Sequence, residues 1–241
     1  TLREACRRKP VVVWKGGQTE AGARATMSHT ASLAAPQAVW RGIMRQCGAI
    51  STNSLDETID VVKGLLYSKI STGRRFALMA MTGGQSVSIT DAFVKEGFEI
   101  SRLSKVSYEE LASFFNIVGG SYQNPLDMAG TVQGKTEVLE RILGILEADE
   151  NIDAMAMEQS AMFGARQWKE HPERLDELVE TLTKHTEAST KPFLMVMHPT
   201  HEDAFVAEVR LKFAQQRIPI FPSFERAAAA ARRALAFGTR D

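Results

Sequence analysis

The stretch Phe76-Ala77-Leu78-Met79-Ala80-Met81-Thr82-Gly83-Gly84-Gln85-Ser86 decides the fold class. Its apolar residues stop abruptly at a polar, glycine-containing turn. A short run with no polar member suits a strand covered on both faces, as in a parallel sheet. Val11–Trp14, Ile152–Met157 and Phe193–Met197 repeat the pattern, and Gly48–Ile50 and Ile218–Phe221 add two brief strands. Helical patterns lie between them. Residues 54–67 carry Leu55, Ile59, Val62 and Leu66 on one face, with a capping box of Ser54 and Glu57 at the start. Ser107 with Glu110 repeats that signal before 108–116. Residues 134–148 and 173–187 show apolar stripes, and the alanine-rich tail from Ser223 favours helix. Strands alternating with helices predict an α/β fold of parallel sheets with flanking helices.

Composition narrows the function classes. Of the 241 residues, 44% are hydrophobic and 24% charged, which excludes wholesale disorder. Lys plus Arg equals Asp plus Glu at 29 each, so there is no basic excess and no reason to expect a nucleic-acid partner. No apolar run reaches a membrane span, so no membrane partner is expected. Cys6 and Cys47 make no disulfide framework and fit a reducing cytoplasm. A first residue of Thr1 suggests a processed or truncated product.

A boundary is expected near Ser68–Arg75, a polar segment after a finished helix. It divides the chain into residues 1–72 and 73–241. The first part holds two strands, too few for an independent sheet, so it belongs to a larger domain or leans on the second part. The chain also echoes itself. Lys9-Pro10-Val11-Val12-Val13-Trp14 resembles Lys191-Pro192-Phe193-Leu194-Met195-Val196, and each copy continues with a helix, a short strand and a Ser-led helix. The first copy is 12 residues longer. The surplus fits the segment after its first strand, residues 15–32, read as a loop of small residues around His29.

A neutral imidazole is a nucleophile that can accept a phosphoryl group, and Ser28, Thr30 and Ser32 beside His29 can orient the ring or donate to phosphate oxygens. The bland alternative is a surface histidine. Thr82-Gly83-Gly84-Gln85-Ser86 lies between a strand and a helix, where free N–H groups hold an anion or the glycines simply make a turn. Asn124-Pro125-Leu126-Asp127 reads as a structural turn. Met157-Glu158-Gln159-Ser160 ends a strand at the same sheet edge and either lines a site or caps the next helix. His198-Pro199-Thr200-His201, with Glu202 and Asp203, has no recognised metal-ligand spacing, so no metal site is expected.

Lys9 to Ala35, with its Ser28-His29-Thr30 core, resembles the NDP-forming acyl-CoA synthetases, relatives of succinyl-CoA synthetase. Residues 47–58, Thr82-Gly83-Gly84 and Asn124–Asp127 extend the resemblance over nearly the whole chain. Ala31 and Ala35 replace glycines common in that family. The resemblance implies two flavodoxin-like ligase units, the first incomplete, with His29 as the phosphorylated histidine and Gly83 and Gly84 on the phosphate side. It implies CoA, ATP or ADP with Mg²⁺, and a small carboxylic acid or its acyl-CoA as substrates of the complete enzyme, none held tightly by this segment. It further implies a CoA-binding Rossmann domain and an ATP-grasp domain or subunit as partners, and an oligomer. The chain alone would then be a fragment without full catalysis. Two rivals are a non-catalytic scaffold of this fold and the ligase-like region of a protein acetyltransferase.

Overall fold

The computed structural model describes residues 1–30 and 36–239. The chain opens with α1 (Leu2–Arg8), β1 (Val12–Trp14), α2 (Glu20–Thr30), α3 (Gln37–Cys47), β2 (Ile50–Thr52) and α4 (Leu55–Tyr67). Next come β3 (Phe76–Ala80), α5 (Gly83–Lys95), α6 (Lys105–Ala112), β4 (Leu126–Asp127), α7 (Ala129–Val132), α8 (Thr136–Ala148) and β5 (Ala154–Glu158). The remainder is α9 (Ala161–Glu170), α10 (Pro172–Ala188), β6 (Phe193–Val196), α11 (Asp203–Gln215), β7 (Ile220–Phe221) and α12 (Phe224–Gly238). β1 and β2 pair in parallel, with Val12 opposite Ile50. The other strands form one sheet in the order β4-β3-β5-β6-β7, every pairing parallel. The expected α/β class with parallel sheets is what the chain adopts. Counted within the larger sheet, the order is 2-1-3-4-5, the flavodoxin-like winding.

Three of the four apolar runs, those of β3, β5 and β6, are covered on both faces for the expected reason, whereas β1 has no fully buried residue and leaves Trp14 48% exposed. Alternate residues point to opposite sides of the pleat. Phe76, Leu78, Ala154, Ala156, Leu194 and Val196 pack toward α5 and α12. Ala77, Met79, Met155, Met157, Phe193 and Met195 pack toward α6, α8, α9, α10 and α11. Both faces being apolar leaves no alternation for the sequence to show.

Four details differ from the sequence reading. The surplus after β1 is a helix, α2, as far as the described residues run. Gly17 turns the chain into it at φ +68°, and a side chain there would meet the Thr26 hydroxyl at 2.7 Å. Gln18 Nε2 donates to the carbonyls of Lys15 and Asn53 at 2.9 and 3.1 Å, fixing the turn against the entry to α4. Gly17 thus makes a tight turn onto a helix that itself contains Gly22. Second, Leu126–Asp127 forms the edge strand β4 on β3. Its two residues are too few to show as an apolar run. Third, Ser104, not Ser107, caps α6; its hydroxyl accepts from the Ser107 N–H at 3.2 Å, and Ser107 is buried inside the helix.

The fourth concerns α4, whose buried side is Asp60, Val61 and Gly64 against α12. The apolar stripe points elsewhere, with Leu55, Ile59 and Leu66 at 55%, 48% and 61% exposure. Charge and small size decide the orientation. Asp60 receives hydrogen bonds from Arg226 and Lys63, and Arg233 donates to Glu57 Oε1 at 2.9 Å. Lys63 Nζ reaches the Ile220 carbonyl at 2.7 Å. Gly64 faces Ala230 on the alanine face of α12. The Ser54 cap holds, its Oγ accepting from the Glu57 N–H at 3.1 Å, while Glu57 reaches back to the Asn53 N–H at 2.7 Å.

Candidate functional site

The winding order of the larger sheet reverses between β3 and β5. From that point, connections leave to opposite sides and open a crevice at the carboxyl ends of the strands. Thr82 follows β3 there. Its Oγ1 accepts from the Gln85 N–H at 3.3 Å and starts α5. Gly83 and Gly84, both exposed, make the first turn, where backbone N–H groups have no intrahelical acceptor. A side chain at Gly83 would sit 3.2 Å from Asp127 Oδ2, whereas nothing lies within 4 Å of the corresponding position at Gly84. The fold therefore has a packing reason for the first glycine only. The second leaves the positive end of the helix open, a place suited to an anion.

Glu158 ends β5 across the crevice and is 1% exposed. Its Oε2 accepts the Met81 N–H at 3.0 Å, serving the first donor after β3. Burial raises its pKa to about 7, against the opposing pull of that hydrogen bond. A carboxyl that is half-protonated near neutrality can hold or release a proton, which one titrating near 4 cannot do there. A cavity of about 400 Å³ lies beside it, lined by Thr82, Gln85, Ser160, His198, Thr200 and His201 among others. His198 packs its ring edge-on against Phe224, with centroids 4.5 Å apart, and its buried Nε2 has no hydrogen-bond partner among the described residues. Burial lowers the His198 pKa, which keeps that imidazole neutral.

Residues 1–65 match the family described as the succinyl-CoA ligase like flavodoxin domain. The α subunit of an ADP-forming acetate–CoA ligase II from Pyrococcus furiosus is 31% identical over 153 residues, covering 64% of this chain and 33% of that protein. An ADP-forming acetate–CoA ligase I from Archaeoglobus fulgidus is 34% identical over 151 residues, covering 63% and 21%. The chain is a homologue of the ADP-forming CoA ligases. A dinucleotide-forming acetyl-coenzyme A synthetase 1 from Ca. Korarchaeum cryptofilum, solved with phosphate and ADP, has 26% identity and a TM-score of 0.78. That match covers 98% of this chain and 48% of the other, so this ligase homologue spans about half of that relative and less of the first two.

Within the ligase homologue, the carboxyl edge of the larger sheet brings together Gly83, Gly84, Glu158 and His198. His29 lies in the last turn of α2 and Ser28 beside it is exposed. The side chains of His29 and Thr30, and residues 31–35 with Ala31, Ser32 and Ala35, lie outside the described residues. Asn124 has the structural role expected of it. Its Oδ1 accepts the Leu78 N–H at 2.9 Å, and its Nδ2 donates to the carbonyls of Phe76 and Ser101, both at 2.8 Å. The side chain thus substitutes for a neighbouring strand along β3. His201 and Glu202 precede α11, and Glu202 pairs with Lys169 at 2.6 Å. Among the described residues, no group of three or more His, Cys, Asp and Glu is placed to hold a metal ion. No helix among them is long and apolar enough to cross a membrane. The role of Glu158 was open in sequence; its one visible signal was an acid ending an apolar strand.

Proposed function

We propose that this chain is the ligase part of an ADP-forming acyl-CoA synthetase, relaying a phosphoryl group through His29. The supporting observation is the open start of α5 at Gly83 and Gly84, placed at the sheet crevice of a chain homologous to ADP-forming CoA ligases. An imidazole nitrogen of His29 attacks the phosphorus of an acyl phosphate. The N–P bond forms as the P–O bond to the acyl group breaks, and the acid leaves as its carboxylate. A terminal phosphate oxygen of Mg²⁺-bound ADP then attacks the same phosphorus and releases the imidazole. The N–H groups of the first turn of α5, with Ser28 and Thr30 on the histidine side, stabilise the charge on the transferring group. Covalent capture divides one transfer between distant sites into two local ones.

In this reading residues 1–72 complete a first ligase domain and residues 73–241 form a second. The partners are a CoA-binding Rossmann domain, an ATP-grasp domain or subunit, CoA and a small carboxylic acid, in an oligomeric enzyme of the cytoplasm. The test is the intact mass of the complete gene product after incubation with Mg²⁺-nucleotide, beside His29→Ala. An acid-labile gain of one phosphoryl group that the variant lacks is the expected result. A folded complete protein that gains nothing refutes the relay and leaves the scaffold reading.

A further inference from the structure

A second cavity, of about 640 Å³, lies between β2, α3 and α12 and shares no lining residue with the one beside Glu158. Its lining carries three arginines, Arg41 and Arg45 on α3 and Arg233 on α12, and no carboxylate. Ser51 adds a hydroxyl, and the buried residues Met44, Ala49 and Ile50 form an apolar floor.

Positive charge gathers here although the whole chain is neutral. Residues 1–53 hold eight Lys or Arg against two Asp or Glu. Those two acids are engaged elsewhere, Glu4 with the amino terminus and Glu20 with Arg24. Arg41 and Arg45 stand one turn apart on the same face of α3, and neither has an acidic partner or a hydrogen bond among the described residues. Like charges at that spacing repel and weaken a helix. The dipole of α3 favours a cation in its last turn, which accounts for Arg45 but not for Arg41. The third arginine is held in place. Arg233 donates from Nε and Nη2 to Glu57 Oε1, at 3.1 and 2.9 Å, and a guanidinium has further N–H donors beyond these two.

The arrangement selects a class of ligand. A single small anion can satisfy one guanidinium but leaves the second repelling it from one turn away. An anion with several linked charges engages both at once, and guanidinium groups match phosphate oxygens through paired N–H donors. The space is also far more than one phosphate fills, since a cavity of about 150 Å³ already takes up benzene.

We propose that this cavity is a binding site for an oligophosphate, two or more phosphates linked in a chain, held by Arg41 and Arg45 with Arg233 and Ser51 beside them. Inorganic polyphosphate and the phosphate chain of a free nucleotide share that chemistry. The site goes beyond the phosphoryl relay and does not rest on it, because the first turn of α5 contributes nothing to the lining.

The test follows the methyl resonance of Met44 in the chain labelled with [methyl-¹³C]methionine; Met44→Leu assigns it. At about 0.1 M KCl and without divalent cations, tripolyphosphate is expected to shift that signal saturably. It should bind at least about tenfold more tightly than orthophosphate. Arg41→Gln and Arg45→Gln, both at exposed positions, should each weaken tripolyphosphate about tenfold and leave the melting temperature nearly unchanged. Arg102→Gln removes the same charge from an exposed position outside the lining and should leave binding as it is. ATP is titrated alongside to identify the source. A Met44 shift by ATP as tight as that by tripolyphosphate supports a nucleotide, and a shift by tripolyphosphate alone supports inorganic polyphosphate. A Met44 signal indifferent to both overturns the proposal. So do equal affinities for tripolyphosphate and orthophosphate, or a loss in Arg102→Gln that matches the loss in Arg45→Gln.

Discussion

Glu158 binds its proton more tightly in the folded chain, at about 7, than an ordinary glutamate near 4.5. Its contribution to stability is therefore complete below about pH 4.5 and is lost as the pH rises through 7. The shift corresponds to about 3 kcal/mol once the group is fully ionised. Glu158→Gln keeps an acceptor for the Met81 N–H and cannot ionise. Urea unfolding should show wild type losing about 3 kcal/mol relative to the variant between acid and mildly alkaline pH; parallel pH profiles would refute the buried acid. The two glycines of α5 separate in the same way. Gly84→Ala meets open space and should leave Tm within about 2 °C of wild type. It should nevertheless slow phosphorylation of the complete enzyme by about tenfold or more, by crowding the anion. Gly83→Ala must push against Asp127 and should cost about 1–2 kcal/mol. If Gly84→Ala phosphorylates at the wild-type rate, the helix start does not hold the phosphoryl group.

At the scale of elements, α4 shows why an apolar stripe does not by itself name the buried face. Leu55, Ile59 and Leu66 made the stripe legible, but Asp60, Val61 and Gly64 make the contact. The partners of Asp60 and Glu57 are Arg226 and Arg233, more than 160 residues away, and nothing local to α4 signals them. Chemical denaturation distinguishes the faces. Val61→Ala should cost about 2 kcal/mol and Ile59→Ser less than about 1 kcal/mol, because only the first empties packed space. The reverse order would put the stripe inside. α2 makes the complementary point. Ala21, Ala23 and Ala25 favour helix, yet the glycines and the lack of an apolar face hid it.

Across the whole molecule, the internal echo is visible as architecture. β1–β2–α4 and β6–β7–α12 are both parallel strand pairs followed by a Ser-capped helix, and the two final helices pack together. The 12 surplus residues of the first copy accommodate α2, the helix that carries His29. The two apolar clusters of the five-stranded sheet draw only on residues after Arg75, while the cluster around Cys6, Met44 and Ala49 is small. Residues 73–241 expressed alone should unfold cooperatively in urea, and residues 1–72 should not, since a two-stranded sheet lacks a core. A non-cooperative 73–241 would mean that the α4–α12 contact is essential to the larger sheet.

Parallel pairing, the α/β class and the identity of β3, β5 and β6 were determined by the sequence itself, because three short apolar runs ending in turns report burial on both faces through composition alone. The candidacy of Gly83 and Gly84 came from the same local grammar, a strand stopping at a turn that starts a helix. Tertiary structure alone decided the rest. Met81 and Glu158 are 77 residues apart, and Gly83 meets Asp127 only because β3 and β4 pair. A pKa near neutrality, an open helix start and an arginine-lined cavity are properties of what surrounds a residue, and those surroundings are assembled from segments distant in sequence.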